Sequence, residues 1–413
     1  MKIGIDFGTT NSAVAVVAAD GRPAILELVP GERFQRTVIH GGDDGRLTFG
    51  NAAFTRYLES DLTGRFIRSI KAFLPHDVPK TTLAGRRYAF TDLVTAYLRY
   101  LVQSAEQVTG ETVTDVVVGR PVRFHADPDK DRAALARLQA SIADAGLARC
   151  TLQLEPVAAA HRYEFGLTTD RTVLVGDFGG GTSDFAILRV GPSRVAGDRL
   201  RDVLGTSGVA RAGDALDARF MDTFLMEYFG RGATWRNRHG EMAPWWHPVQ
   251  NQIRRLYYLH LLRDRSLDEG LQRIEPRMSD PTVIRRIRRL VFDDLGYPMA
   301  YAIEACKREL SDTDATTFRF GEFHSPTLDI EHPVDLRGFA DGCAELLDAY
   351  RRAIHEVVEV AGLGIDRIDD VFLTGGTSQL PFIRGLFADL FGADKLRTAD
   401  SFTSVCEGLA LSA

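Results

Sequence analysis

The sequence has few cysteines, and their spacing is typical of neither a metal-binding site nor a disulfide-rich domain. Among 413 residues there are four, Cys150, Cys306, Cys343 and Cys406, and no two form a CxxC pair. Such isolated cysteines exclude a zinc site built on CxxC pairs and a dense disulfide framework. We therefore expect the four thiols to be reduced and buried.

Long apolar runs and an excess of positive charge are also absent. No apolar stretch approaches the roughly 18 residues that a membrane-spanning helix needs. Asp6 interrupts the apolar N-terminal stretch, which argues against a secretory signal peptide. The formal net charge of −6 gives no overall attraction to nucleic acid or to an anionic membrane. These absences predict a cytoplasmic protein without a membrane or nucleic-acid partner.

Several catalytic signatures are missing as well. The chain contains no GxxxxGK[ST] sequence, which excludes a P-loop, and no GxSxG or HExxH sequence. The tripeptide Asp-Phe-Gly occurs twice, but no HRD-like loop with a following asparagine accompanies it, so a protein kinase is excluded.

The most informative stretch is Val173–Leu188, which reads VLVGDFGGGTSDFAIL. An apolar strand ends at Asp177, three glycines and two hydroxyl residues follow, and a second strand begins near Asp184. Three consecutive glycines favour positive φ or a close approach of another backbone. Two interpretations are open. The stretch is either an ordinary tight hairpin or a turn whose bare N–H groups cradle a polyphosphate.

A second copy of this pattern lies at residues 3–17, IGIDFGTTNSAVAVV. Aligned on the aspartates, the segment Asp6-Phe7-Gly8-Thr9-Thr10 matches the segment that begins at Asp177. Two similar hairpins in two halves of one chain indicate a duplicated lobe. Facing each other, the hairpins could hold a phosphate chain from both sides, and their aspartates could hold Mg²⁺ through its waters.

Two charged residues stand in unusual surroundings. Lys71 lies inside the apolar segment FIRSIKAFL, and Glu155 precedes Pro156 at the start of a predicted helix. Taken singly, Lys71 is typical of a solvated lysine, and Glu155 of a carboxylate that complements a helix dipole. The alternative for each is a place in a phosphate site.

Two further segments suit a nucleoside. The predicted helix 299–311 places four polar side chains on one face, because spacings of three, four and seven residues align on a helix. They are Glu304, Lys307, Arg308 and Ser311. Ion pairing along the helix is the simpler explanation, and a nucleoside is the alternative. The strand 371–373 opens into Thr374-Gly375-Gly376-Thr377-Ser378, another bare backbone beside a predicted helix start.

Residues 230–315 are rich in arginine. Ten arginines lie in residues 254–289, a pattern that suits either a nucleic-acid patch or a solvated helical face. Acidic residues are interleaved, including Asp268, Glu269 and Asp293, and such interleaving favours the solvated face.

Together these motifs resemble the DnaK-type heat shock protein 70 (Hsp70) chaperones of the actin-like ATPase superfamily. The segments that carry the resemblance are IGIDFGTTNS, VLVGDFGGGTSD, VFLTGGTSQLP and the helix with Glu304 and Arg308, in family order across the whole chain. The segments VVVGRPVRF, LEPVAAAHRYEF, AILRVGPSR and PWWHPV most resemble the YegD-type chaperone-like proteins of bacteria.

The resemblance implies a role for each matching position. Asp6, Asp177 and Asp184 would hold Mg²⁺, mostly through water. Lys71 would lie at the γ-phosphate and Glu155 would orient the attacking water, with Asp6, Asp177 and Thr182 completing the catalytic set. The ATP or ADP would contact residues of both hairpins, the predicted nucleoside helix and the loop after residue 373, namely Gly8, Thr9, Thr10, Asn11, Gly179, Gly180, Gly181, Thr182, Gly213, Glu304, Lys307, Arg308, Ser311, Gly375, Gly376 and Ser378. K⁺ is a candidate additional ion.

The resemblance also implies a fold. We expect an α/β, actin-like (ribonuclease H-like) fold with two lobes of two subdomains each and the nucleotide in the cleft between the lobes. Lobe I would span residues 1–170, with a peripheral subdomain at about 38–111 and a closing helix at 398–413. Lobe II would span 171–397, with a peripheral helical subdomain at about 226–315. We expect no peptide-binding domain among these 413 residues.

Two positions depart from the family pattern. Gln379 stands where the chaperones usually carry an arginine that stacks on adenine, which bears on nucleotide affinity. Arg120 precedes Pro121 where the chaperones have a small or apolar residue, which bears on coupling between lobes.

The function expected from the sequence is a monomeric, chaperone-like protein that hydrolyses ATP slowly and changes lobe closure for a protein partner. One alternative is an actin-like sugar kinase, which would need a substrate cavity and a general-base aspartate beside the γ-phosphate. A second is a nucleotide-binding scaffold without hydrolysis, against which Asp6, Lys71, Glu155 and Asp177 argue.

Overall fold

The strands and helices follow the apolar patterns of the sequence. The structure is a computed structural model that describes residues 1–60, 63–194, 199–293, 295–321, 328–398 and 403–413. In chain order the strands are β1 (Lys2–Phe7), β2 (Asn11–Val17), β3 (Pro23–Ile25), β4 (Gln35–Arg36), β5 (Val38–Gly41), β6 (Leu47–Phe49), β7 (Arg65–Arg68), β8 (Thr81–Leu83), β9 (Arg86–Tyr88), β10 (Asp115–Arg120), β11 (Cys150–Leu154), β12 (Arg171–Phe178), β13 (Ser183–Val190), β14 (Val203–Val209), β15 (Thr234–Arg236), β16 (Met242–Pro244), β17 (Ala315–Phe320), β18 (Ile330–Asp335), β19 (Asp370–Thr374) and β20 (Leu396–Thr398).

The α-helices lie between these strands. In chain order they are α1 (Gly50–Glu59), α2 (Phe90–Thr109), α3 (Pro128–Asp144), α4 (Glu155–Glu164), α5 (Arg199–Asp202), α6 (Gly213–Phe220), α7 (Val249–Ile253), α8 (Arg265–Ile274), α9 (Thr282–Phe292), α10 (Gly296–Glu309), α11 (Leu336–Gly342), α12 (Ala344–Val360), α13 (Pro381–Phe391) and α14 (Ser404–Leu411). Short 3₁₀ helices include Ile70–Phe73 and Gly376–Gln379. No helix of the described ranges combines the length and the apolar character that crossing a membrane requires.

The chain forms two compact units, which are Met1–Gly213 with Leu346–Ala413, and Asp214–Glu345. The first unit contains both hairpins that the sequence singles out, and the second contains the arginine-rich segment and α10. The predicted boundary between lobes near residue 170 falls inside the first unit and stays a prediction, as do the predicted subdomain limits. Residues 399–402 of the predicted closing helix lie outside the described residues.

Two sheets in the first unit share one topology. One has the strand order β11-β10-β1-β2-β3, with β4 also paired to β2, and the other has the order β20-β19-β12-β13-β14. In each sheet the hairpin pair is antiparallel, and the strand on the other side of its first member is parallel. The repeated hairpin predicted from the sequence is confirmed, and the repeat extends to the surrounding strands.

The two sheets are joined by a core that includes α4 and α14. Ala158 and Val157 of α4, Val175 of β12 and Leu409 of α14 belong to one buried apolar cluster. A Cβ at Gly408 would overlap the carbonyl of Ala158, so glycine is what lets these helices touch. This packing fixes α4, and therefore the position of Glu155 at its first turn.

The second unit has its own aromatic core. The ring of Phe220 lies 5.2 Å from that of Phe224 and 5.5 Å from that of Phe339. The arginines on its surface have acidic partners, among them Arg288 with Asp268 at 2.7 Å. Further pairs of the same kind are Arg285 with Glu275, Arg289 with Asp293 and Arg265 with Glu269. The solvated, ion-paired face predicted for this segment is confirmed.

One sequence expectation needs correction, because not all four thiols are buried. Three of the four thiols are buried and free, whereas Cys150 is partly exposed.

The β8–β9 hairpin contains a strained alanine. Its two-residue turn is Ala84-Gly85, with φ of 50° at Ala84 and 74° at Gly85. A left-handed conformation costs an L-residue with a Cβ roughly 1–2 kcal/mol, and Asn-Gly is the favoured pair for such a turn. Ala84→Asn should therefore stabilise the protein by about 0.5–1 kcal/mol.

The urea unfolding midpoint measures this effect. Gly85→Ala is the matched control, because nothing lies within 4 Å of an added Cβ, and it should destabilise the protein through backbone strain alone. An unchanged or lower midpoint for Ala84→Asn would show that the alanine is not strained.

Candidate functional site

The turns of the two hairpins pack against each other in the first unit. A Cβ at Gly181 would lie 3.0 Å from Thr9 Oγ1, and one at Gly180 would overlap Thr10 Oγ1. The three glycines of this turn do not adopt positive φ. Neither predicted reason holds as stated, because the groups that approach Gly180 and Gly181 closely are the side chains of Thr9 and Thr10 and not another backbone.

Two other predicted glycines lie at the same turn. The amide of Gly213 donates to the carbonyl of Gly179 at 3.2 Å. Gly375 has a φ of 85°, and a Cβ there would overlap the backbone of Phe178. Ser378 Oγ donates to the Gly375 carbonyl at 2.7 Å, which holds the loop after β19 in place. The structure thus gathers several backbone segments at one place without intervening side chains.

Lys71 and Glu155 meet in the interior beside these turns. Lys71 Nζ lies 2.6 Å from Glu155 Oε1, and the two side chains are only 7% and 9% exposed. Burial alone would lower the pKa of Lys71, but the carboxylates of Glu155 and Asp6 hold that pKa above its ordinary value. Of the two interpretations of Lys71, the solvated lysine is wrong. Gly119 makes room for its partner, because a Cβ there would lie 3.2 Å from Glu155 Cγ.

Three further carboxylates, those of Asp6, Asp177 and Asp184, are close enough to this ion pair for its charges to affect their pKa values. Burial raises the pKa of Asp6 to about 7, with a contribution from the Glu155 charge and an opposing one from Lys71. Burial also raises the pKa of Asp177 well above its ordinary value, and the charges of Glu155, Asp184 and Asp6 add to this. Asp177 and Asp184 are directly opposite each other in the β12–β13 pair.

The two carboxylate oxygens of Asp184 differ in their hydrogen bonding. Its Oδ1 accepts from the amide of Val122 at 2.7 Å. Its Oδ2 is buried and accepts no hydrogen bond from the described residues, although the Thr182 hydroxyl is close enough to lower the pKa of Asp184. Burial and the Glu155 charge outweigh both donors and raise that pKa to about 7.

This carboxylate group suits a divalent cation. Three buried carboxylates, those of Glu155, Asp177 and Asp184, and the half-buried Asp6 face one lysine, so the cluster has an excess of negative charge that a cation would compensate. Within the described ranges, no three acidic, histidine or cysteine side chains converge closely enough to hold a metal directly. Oxygen ligands that bind through water are what Mg²⁺ commonly uses, so the residues fit the predicted ion.

The raised pKa values predict a pH dependence of Mg-ADP binding. Below about pH 7, Asp6 and Asp184 hold protons in the ligand-free protein, and a cation favours their ionised forms. Binding near pH 7 should therefore release protons, and the affinity should rise between pH 6 and pH 8.

Calorimetry in buffers of different ionisation enthalpy measures the released protons. Asp184→Asn is the comparison variant, since its amide oxygen can still accept from Val122 while it has no proton to release. Equal proton release by both proteins, or an affinity that falls as the pH rises, would contradict the assignment.

The predicted nucleoside residues Glu304, Lys307, Arg308 and Ser311 lie in the second unit. On α10, Arg308 Nη2 lies 3.6 Å from Glu304 Oε1, which is the helical ion pair that the sequence allowed. Lys307 Nζ donates to Asp217 of α6, and both side chains are about 15% exposed. Ser311 Oγ donates to the Lys307 carbonyl at 3.1 Å. A nucleoside role for these residues stays a prediction.

Three residues near the predicted sites escape sequence reasoning. Thr37 and Ser69 are buried in the first unit, and Asp217 is the partner of Lys307 in the second. Single threonines and serines carry no recognisable pattern, and the partner of a lysine 90 positions away cannot be read from spacing.

The fold and these side chains define a class of protein. A mixed α/β architecture with a repeated strand–turn–strand unit, two apposed glycine and threonine turns and a buried lysine among carboxylates is consistent with an actin-like ATPase. A model of the family described as Hsp70 protein matches residues 2–234 and 298–413. The chain therefore belongs to the Hsp70 family, whose members generally bind ATP or ADP with Mg²⁺.

Curated relatives agree with this assignment. "Chaperone protein dnaK1" of Parasynechococcus marenigrum is 28% identical over all of this chain, which covers 56% of that protein. "Stromal 70 kDa heat shock-related protein, chloroplastic" of Pisum sativum is 27% identical with 52% covered, and "Chaperone protein DnaK" of Thermus thermophilus is 26% identical with 60% covered. The chain thus spans somewhat more than half the length of these relatives.

Proposed function

We propose that this chain is an Hsp70-like, chaperone-type protein that binds ATP with Mg²⁺ and hydrolyses it slowly. The observation that carries the proposal is the buried pair of Lys71 and Glu155 beside two apposed glycine and threonine turns. A lysine that is held charged in the interior needs a reason, since burying paired charges seldom adds stability. A phosphate chain supplies such a reason.

In this proposal the two turns bind the phosphates. Backbone N–H groups of Gly8–Asn11 and Gly180–Thr182 donate to phosphate oxygens, as bare turns do in other anion sites. Close packing of Thr9 and Thr10 against Gly180 and Gly181 fixes the turns before a nucleotide arrives. Phosphoryl transfer depends mainly on positioning and electrostatics, so fixed turns lower the cost of reaching the transition state.

Lys71 and Glu155 have separate roles in the same step. Lys71 offsets the charge that develops on the γ-phosphate, and Glu155 orients the attacking water. Lys71 Nζ donates to Glu155 Oε1 at 2.6 Å. A phosphate group that competes for Lys71 leaves Glu155 free to accept a hydrogen bond from water, and this exchange of partners is one reason to expect slow hydrolysis.

Asp6, Asp177 and Asp184 would hold Mg²⁺ through water molecules. When bound, the ion neutralises part of the charge on the phosphates. Asp184 is oriented for this by the Val122 amide, which leaves its second oxygen available. Asp177 and Asp184 project from adjacent strands and are placed by the β12–β13 register.

We also propose nucleotide contacts for Gly375, Gly376 and Ser378 of the first unit. For Glu304, Lys307, Arg308 and Ser311 of the second unit we propose contacts with a nucleoside. The pair of Lys307 with Asp217 supports this, because it orients the lysine before any ligand is present. We further propose a YegD-type subgroup, a cytoplasmic location, and a nucleotide-dependent change in lobe closure that a protein partner reads.

Calorimetry with Mg-ATP and Mg-ADP tests the binding proposal. We expect saturable binding of both nucleotides with one site per chain and loss of binding when Mg²⁺ is chelated. Limited proteolysis in each nucleotide state tests the conformational change, and different cleavage patterns are expected for ATP and ADP. If neither nucleotide gave a heat of binding or protected the protein from proteolysis, the proposal would be overturned.

A further inference from the structure

Thr37 is a buried residue that contacts the turn between β1 and β2 from two sides. We call this turn, residues 8–11, the first phosphate turn. Its side chain is fully buried, and its Oγ1 donates to the Gly8 carbonyl at 2.8 Å. Since that proton is used, Ser12 Oγ must be the donor in its 2.8 Å contact with Thr37 Oγ1. The Thr37 amide donates to the Thr10 carbonyl, also at 2.8 Å. One residue thus holds both ends of the turn.

The same residue contacts the segment that carries Lys71. The carbonyl of Thr37 accepts from the Ser69 amide at 3.2 Å. Ser69 is buried, has a left-handed φ of 55°, and immediately precedes the 3₁₀ helix Ile70–Phe73 that contains Lys71. A left-handed serine is strained and persists only where its surroundings hold it. The Thr37 carbonyl is part of what holds it.

Thr37 itself is fixed from the other side. The Tyr97 hydroxyl, which projects from α2, donates to the carbonyl of Arg36 at 2.7 Å. Thr37 and its neighbour are therefore tied to a helix that is buried along one face. A rigid support of this kind can set the distance between two site elements that are far apart in the chain.

We propose that Thr37 is a positioning residue for phosphoryl transfer, because it fixes the first phosphate turn relative to Lys71. This inference rests on the proposed function, in which the turn binds phosphate and Lys71 acts at the γ-phosphate. The terminal phosphate must contact both the first phosphate turn and Lys71. A displacement of about 1 Å in such a site can lower the rate by up to about 10²-fold. ADP has no γ-phosphate, so its binding depends much less on the position of the first phosphate turn relative to Lys71.

Thr37→Val tests the proposal, because it keeps the shape of the side chain and removes the hydroxyl. We expect the single-turnover hydrolysis rate to fall by about 10-fold to 10²-fold, while the affinity for Mg-ADP stays within about threefold. Thr37→Ser restores the hydroxyl and should recover most of the rate. Thr37→Cys keeps only a weak donor and should lie between serine and valine, so it decides the question if the valine variant does not fold.

Thr81→Val is the matched control. Thr81 is a buried threonine of the same unit, and within the described residues its Oγ1 has no hydrogen-bond partner. Its valine variant should hydrolyse ATP at the wild-type rate. Equal rates for Thr37→Val and Thr81→Val, or a Thr37→Ser variant as slow as Thr37→Val, would overturn the positioning role alone. A wild-type protein that does not hydrolyse Mg-ATP would overturn the proposed function and this role with it.

Discussion

Replacement of Lys71 by methionine should lower the single-turnover rate of ATP hydrolysis by about 10²–10³-fold. The variant removes the only cation that the structure shows in contact with Glu155 within the described residues, at 2.6 Å. It should also destabilise the ligand-free protein by about 3–5 kcal/mol, because Glu155 is left charged and buried without its partner. Single-turnover assays and urea unfolding measure the two effects separately.

The double variant Lys71→Met with Glu155→Gln separates the two roles of the pair. It removes both charges, so most of the stability should return while hydrolysis stays at the level of Lys71→Met. A double variant as unstable as Lys71→Met would show that the ion pair is not the source of the loss. If Lys71→Met hydrolysed ATP at the wild-type rate, the lysine would have no role in the proposed mechanism.

Glu155→Gln should lower the single-turnover rate by about 10²-fold and leave Mg-ADP affinity within about threefold. The amide keeps the shape of Glu155 and can still accept from Lys71, but it lacks the charge that orients and polarises a water. The loss of stability should be smaller than in Lys71→Met, because the Asp6 carboxylate also faces the lysine.

Glu164 provides the control on the same helix. It lies at the other end of α4, is similarly buried, and accepts from the Gly191 amide at 2.7 Å. Glu164→Gln keeps an acceptor there and should hydrolyse ATP at the wild-type rate. If the two glutamine variants slowed hydrolysis equally, Glu155 would be acting through helix packing and not at the reacting groups.

The local features of the site could be read from the sequence because they depend on neighbouring residues. Apolar runs that end in Asp6 and Asp177, followed by glycines and threonines, predict strand–turn–strand units, and both are present. The match between them predicts a repeat, which the two sheet topologies confirm. The role of Gly180 and Gly181 was not predicted, because their close neighbours are the side chains of Thr9 and Thr10 on the other hairpin and not another backbone.

The long-range partners could not be predicted in the same way. Nothing near Lys71 indicates that its counter-ion is Glu155, 84 residues away, or that Ser69 takes a left-handed conformation one turn before it. These features depend on how α4, β4 and the 3₁₀ helix meet in three dimensions. The role of Thr37 is of this kind, because its hydrogen bonds with Gly8, Thr10 and Ser69 join segments that are separated by about 30 residues.

The most direct test of the account is a single-turnover assay with γ-labelled ATP and Mg²⁺, run with and without a panel of sugars. The account predicts slow release of inorganic phosphate that does not depend on sugar, is lost in Lys71→Met and is unchanged in Glu164→Gln. Label that appears on a sugar would show a kinase instead, and phosphate release no faster than in buffer would contradict the proposed ATPase.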